Sequence, residues 1–316
     1  MKNIFEEISV ALASGLAIEA SVHKPGTTSP IRSTKGIYHH GFIISSMLLS
    51  HAIKDLLIKI DLSKNECIDI SYVIKELYIR GEKIHRMGNL HLGFVFLIAP
   101  LIAIIPRYIK ENLQNRSCVD NKIFGKYEEL LEKASENLVV CGRRSRLVYL
   151  WDILRKIYGQ KIYLHEGPTP DLYKKEDSDK SLWDLVYYGR NTDIILRELY
   201  SGYEITRRYS KRIITSEDSE LYRNVLNIFI DIASEYIDTH IARTKNIVTA
   251  IIFKSNMNLC KEVNKFSIKI REECINYFDN FYRDHGINPG SIADLVAFMI
   301  SIRNLVMLEV HVIDNT

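Results

Sequence analysis

Four stretches of this chain carry polar side chains at the edges of apolar helices, where such groups are costly unless they have work to do. The first is "VALASGLAIEASVHKPG", in which Glu19 interrupts a run of Ala, Gly, Ile and Leu, five residues ahead of Lys24, Pro25 and Gly26. A carboxylate in that setting must be paired, bound to metal or turned to solvent. The Lys-Pro-Gly loop either stops the helix or holds phosphate. The second is "RMGNLHLGF": Gly88 and Gly93 permit close backbone approach, and Asn89 and His91 precede an apolar helix. Free amides at a helix start suit an anion, and a plain Asn cap is the alternative. The third is "DTHIARTKN", where Asp238, Arg243 and Lys245 cluster within two turns as a phosphate grip or a solvated face. The fourth is "HGINPGSIADLVAF", with Asn288 in the turn and Asp294 one turn into the following helix. An acidic residue there is also good helix design. No Walker loop, HExxH or GxSxG is present, so no single element is diagnostic.

The elements that must position these groups read as helices. Residues 3–22, 41–60, 67–81 and 92–111 show helical spacing of apolar residues, the last with a kink expected at Pro100. Two amphipathic helices follow, 122–140 and 143–159. Residues 159–180 read as a long irregular stretch, with "KIYLH" as the sole strand candidate. Helical segments continue over 181–210 and 216–246, the second with a capping pattern at Ser216 and Ser219. Single helices are expected over 246–284 and 290–309. With no internal repeat, the prediction is an all-α fold: one multi-helix domain over residues 1–316, packed around a central apolar helix.

Composition narrows the function classes. The 42 basic and 39 acidic residues leave a net charge of +3, too even to argue for nucleic acid. The run "LHLGFVFLIAPLIAIIP" falls short of about 20 apolar residues and reads as a core helix, not a membrane span. It would serve equally as a subunit contact, which leaves a homo-oligomer as an alternative. Five widely spaced cysteines without CxxC spacing point to a reducing compartment and no structural zinc. The start of the chain lacks a signal pattern, since Glu6 and Glu7 interrupt it, so a cytoplasmic location is expected.

Taken together and in order, "ALASGLAIEASVHKPG", "GNLHLGFVFLIAPL", "DLVYYGRNTDIILRELYSGY", "DTHIARTKN" and "GINPGSIADLVAF" resemble the triphosphoribosyl-dephospho-coenzyme A synthase family, especially its shorter archaeal-type members. The resemblance implies an all-helical transferase. It would move a triphosphoribosyl group from ATP to a ribose hydroxyl of dephospho-CoA or a related cofactor precursor, with release of adenine. ATP would be a substrate and magnesium a cofactor, with a small-molecule nucleotide and a CoA-like acceptor as partners. Carried over by motif position, Glu19 and Asp294 become the catalytic and metal-binding carboxylates. Lys24 and Gly26 would contact phosphate, and Asn89 the nucleotide. Asp193, Arg243, Lys245 and Asn288 would line the pocket.

Departures accompany the resemblance. The family's Pro-Gly-Asn is Pro25-Gly26-Thr27 here. Its Tyr-His-Asp-Phe segment appears as Tyr38, His39, His40, Gly41 and Phe42, without the aspartate. A second asparagine is missing from the loop at Gly88–Gly93. His40 and His91 are the candidate substitutes as donors, though neither equals a carboxylate as a magnesium ligand. Two other readings stand beside the transferase: a non-catalytic helical nucleotide- or partner-binding protein on the same scaffold, and a metal-dependent nucleotide hydrolase.

Overall fold

The computed structural model describes residues 2–34, 36–63, 67–84, 87–114, 123–151, 153 and 179–308. The chain is all-α. Helix α1 (Lys2–Ser21) packs along α2 (His39–Leu62) and along α13 (Gly290–Val306) at the other end of the chain. Between them run α3 (Ile70–Gly81), α4 (Leu92–Gln114) and α5 (Tyr127–Gly142). Then come the short α6 (Leu182–Gly189), α7 (Ile194–Tyr200) and α8 (Glu204–Ile214). Helices α9 (Leu221–Glu235), α10 (Thr239–Thr244), α11 (Ile247–Val263) and α12 (Ile268–Asp284) lead to α13. Among the described residues the only β-pairings are isolated bridges, such as Ser29 with Arg32.

One hydrophobic core runs from Phe5 to Val306. Its most apolar members are α4 and α13, buried on nearly every side, as helices without a polar face must be. Helix α4 continues through both Pro100 and Pro106. By length and composition it and α2 are apolar enough to cross a membrane, but 89% of the α4 window is buried within the protein.

The α1–α13 contact is close because both helices present small residues. A Cβ on Gly15 would lie 2.1 Å from Ser301 Oγ and 2.4 Å from the Ala297 carbonyl oxygen. The Ser301 hydroxyl donates to the Leu12 carbonyl at 2.6 Å, and the Asn304 amide donates to Ser14 Oγ at 2.9 Å. Ser46 on α2 donates to the Ala13 carbonyl at 2.8 Å. Polar groups thus fasten α1 on two sides while glycine sets the spacing. This fixes where Glu19, at the end of α1, meets α13.

Several boundaries differ from expectation. The predicted 246–284 helix is two, because Ser267 turns the chain and caps α12 by accepting the Ile270 amide. The 181–210 and 216–246 segments each break into shorter helices, at Asp193, Tyr203 and Asp238 among others. Ser216 and Ser219 do not cap α9. A 3-10 turn, Asp218–Glu220, precedes that helix, and Ser216 instead donates to the Arg212 carbonyl. "KIYLH" and the rest of the predicted irregular stretch to residue 178 lie outside the described residues, as does most of the predicted 143–159 helix. The widely spaced cysteines pair: Cys67 with Cys141, and Cys260 with Cys274, bridging elements that only the fold makes neighbours.

Substituting Gly15→Val should force α1 and α13 apart. Overpacking of this kind costs about 1–3 kcal/mol, read as a lowered urea midpoint. An unchanged midpoint would contradict the tight α1–α13 spacing.

Candidate functional site

Four helices begin at one place. Asn89 starts α4, its Oδ1 accepting the Leu92 amide at 3.0 Å and the His91 amide at 3.3 Å. Asp193 starts α7, accepting the Ile195 and Leu196 amides at 2.8 and 3.2 Å. Asp238 starts α10 and reaches α13 as well: one oxygen accepts the Ile241 amide at 2.8 Å and the other the Ile292 amide at 2.9 Å. Asp294, one turn inside α13, lies against the start of α4. A Cβ on Gly93 would stand 2.4 Å from Asp294 Oδ2, and the Phe94 amide donates to this carboxyl. Each helix start carries partial positive charge, so each attracts a carboxylate. The sum is an acidic cluster.

The bridging contacts tie the starts together. Thr239 on α10 lies 3.1 Å from Ser291 Oγ on α13, and its hydroxyl accepts the Ile194 amide at 3.3 Å. Arg243 forms an ion pair with Asp193 Oδ2. Gly290 abuts the His240 ring, its would-be Cβ 3.3 Å from the ring carbon. Asp193, His240 and Asp294 are each half-buried, whereas Asp238 is fully enclosed.

Electrostatics distinguish the carboxyls. Burial pushes Asp294 well above the usual carboxylate range, and the charge of Glu19 adds to this. The Phe94 amide opposes the shift, and Asp238 and Asp193 extend it. Asp238 is raised to about 6 by burial, against its two amide bonds and Arg243. Burial lowers His240 to about 4, helped by Arg243 and opposed by Asp193. A ring held neutral beside an acidic cluster shows that desolvation outweighs the pull of the nearby charge.

Glu19 and Lys24 form a buried pair, Nζ to Oε1 3.0 Å. Lys24 also donates to the Glu19 carbonyl at 2.6 Å and the Val22 carbonyl at 2.7 Å. Two of its donors thus close on α1 carbonyls, and it pairs with Glu19 Oε1 by charge, an atom that accepts no hydrogen bond. Gly26 is likewise engaged. Its amide donates to Asp279 Oδ1 at 2.9 Å, and its φ of 78° belongs to the left-handed region. Burial raises Glu19 and lowers Lys24, each opposed by the partner's charge.

Of the residues singled out in sequence, Glu19, Asn89, Asp193, Arg243 and Asp294 gather here, with Lys24 behind Glu19. Asn288 is half-buried in the turn entering α13. Lys245 is exposed and donates to the His285 carbonyl at 2.8 Å. His40 is exposed and stacks on Tyr38 at 5.7 Å. His91 is buried against Gly81 and Tyr78 on α3. Sequence reasoning missed Thr239, His240 and the knot at Asp279. That buried carboxylate joins Gly26, Arg32 (2.9 Å) and Arg283 (2.9 Å), and Arg283 also donates to the Thr27 carbonyl at 2.6 Å. The knot stitches the 23–34 loop to α12. The i, i+4 pair Asp279/Arg283 was the available sequence signal.

Among the described residues no three His, Cys, Asp or Glu side chains converge to hold a metal ion. Magnesium bound with a triphosphate needs only one or two protein carboxylates, since phosphates and water complete its shell. Asp294 fits that limited mode only when ionised, Glu19 being already paired with Lys24, and a metal cage built by the protein alone does not fit.

The family model described as ATP:dephospho-CoA triphosphoribosyl transferase matches residues 5–311, nearly the whole chain. Neither a curated protein nor a solved structure matches it.

Two tests address this geometry. Lys24→Met should leave the Glu19 carboxylate buried and unpaired and cost about 3–5 kcal/mol by chemical denaturation; adding Glu19→Gln should recover part of that loss. A single variant within 1 kcal/mol of wild type would contradict the buried pair. The second test is pH. The folded His240 pKa is depressed to about 4 from 6.5, so the unfolded state binds the proton first and this contribution disappears as pH falls through that window. Relative to His240→Gln, wild type should lose about 3 kcal/mol between pH 7 and pH 4. Parallel stability curves would show His240 to be freely protonated.

Proposed function

The chain belongs to the ATP:dephospho-CoA triphosphoribosyl transferase family, and on that premise we propose that the cluster at the four helix starts performs the transfer with loss of adenine. The acceptor is dephospho-CoA or a closely related ribose-bearing cofactor precursor. Its hydroxyl oxygen forms a bond to the anomeric carbon of the ATP ribose as the bond from that carbon to adenine breaks. The bonding electrons leave with adenine, which must gain a proton, and the hydroxyl must lose one.

The observation that carries this reading is Asp294: a carboxyl pushed toward its protonated form, at the junction of α4 and α13, with a half-open environment. A neutral carboxyl there can hand its proton to the departing base, and its ionised form can then take the acceptor's hydroxyl proton. No net proton is required. Developing positive charge on the ribose ring is favoured by the carboxylates that surround it, Asp193 and Glu19 among them. Glu19 acts as a positioning residue, held in place by Lys24. Arg243, exposed beside the cluster, offers a cation to phosphate at the expense of its pairing with Asp193. Magnesium, when bound with the triphosphate, would neutralise phosphate charge, and Asp294 could serve it as a ligand only in its ionised form, since Glu19 is held by Lys24.

Asp294→Asn preserves size and the Phe94 contact but removes the exchangeable proton. It should reduce adenine release in the presence of ATP and dephospho-CoA by about 10²–10⁴-fold, with the thermal midpoint maintained or raised. Adenine release at the wild-type rate from the folded variant would remove Asp294 from the chemistry. Phosphate release without adenine would identify a hydrolase instead.

A further inference from the structure

Helices α11 and α12 form a hairpin stapled by Cys260–Cys274 and by the packing of Phe253 on Tyr282, ring centroids 5.0 Å apart. Its inner face enters the core through Ala250, Phe253, Met257, Ile275 and Tyr282. Its outer face is also apolar. Val248, Ile252 and Leu259 follow helical spacing on α11, and Ile270, Tyr277 and Phe281 do so on α12. The pairings 260 with 274 and 253 with 282 set an antiparallel register. That register puts Leu259 beside Tyr277 and Ile252 beside Phe281, so the two stripes merge into one band. At the turn, Phe266 is 84% exposed, and along the band Tyr277 is 68% and Val248 61% exposed.

We propose that this outer face of the α11–α12 hairpin is the contact between two copies of the chain, joined about a two-fold axis. The area argues for it. Seven large side chains, each exposing between about a third and five-sixths of its surface, amount to on the order of 800 Å², beyond the 300–600 Å² of a typical monomer's largest patch. This is also about what each partner contributes to a standard stable interface. The charges argue for a protein partner of the same kind. With Asp279 buried in its knot and Lys261 paired to Asp231 and Glu235, residues 247–281 present Lys254, Lys265, Lys269 and Arg271 against Glu262, Glu272 and Glu273, a near balance of four to three. A face meant for anionic lipid would carry an excess of cations along the band. Here the cations crowd near the turn, and Glu272 and Glu273 are exposed on α12. A neutral band with mixed-sign edges is self-complementary under two-fold rotation, the commonest symmetry of soluble oligomers.

The test uses the full-length protein in sedimentation equilibrium at micromolar concentration. Wild type should sediment at twice the 36.6 kDa chain mass. The Ile252→Glu/Tyr277→Glu double variant should sediment at the chain mass, with an unchanged far-UV spectrum and a thermal midpoint showing that the monomer is folded. Single variants Val248→Ser and Leu259→Ser, too mild to unfold an exposed face, should raise the dimer dissociation constant at least tenfold each. A monomeric wild type overturns the proposal, as does a dimer that the double variant leaves intact. So does a monomer that co-sediments with phosphatidylglycerol–phosphatidylcholine vesicles and loses that binding in the double variant.

Discussion

The contact between Gly93 and Asp294 couples the parts of this molecule that matter most. It brings the start of α4, the most apolar helix, against the first turns of α13, and it is possible only because residue 93 has no side chain. Helix starts draw carboxylates, and here the cluster draws several. Asp193 and Asp238 satisfy amides and are locked by them. Asp294 is less fully satisfied, and the charges around it make ionisation expensive. A group left in that condition is poised to exchange a proton or to meet a cation.

Around this contact the fold divides its polar residues between construction and chemistry. Lys24 and Gly26, the most conspicuous part of the early loop, serve construction: the lysine closes the end of α1, and the glycine amide is held by Asp279. The early break in the apolar run is therefore a folded knot, tied through Arg32 and Arg283 to α12. It acts on the site indirectly, by seating Glu19 next to the α13 carboxyl. The α1–α13 spacing set by Gly15 and Ser301 serves the same purpose from the other side.

Much of this was legible in the residues. The period of apolar positions identified α1 through α5, and the order of the polar patches pointed to the family that the match over residues 5–311 establishes. Other features were hidden for physical reasons. A helix of seven residues such as α7 offers too few turns for its period to stand out, so the capping role of Asp193 was not legible. Residues 247–284 contain neither Pro nor Gly, so the break at Ser267 that makes the hairpin had no punctuating residue to announce it. Disulfide partners 74 residues apart have no local signature. Nor does residue type reveal that Lys24 closes the end of α1 through two backbone carbonyls.

The account stands or falls on the protonation state of Asp294. The most direct measurement is a side-chain carboxyl carbon NMR titration of aspartate-labelled protein, with the signal assigned by its loss in Asp294→Asn. The account predicts that this carboxyl titrates well above the ordinary aspartate value of 3.8. Ionisation near that ordinary value would mean that the four helix starts do not hold the carboxyl under the electrostatic pressure described here, and the proposed chemistry would lose its foundation.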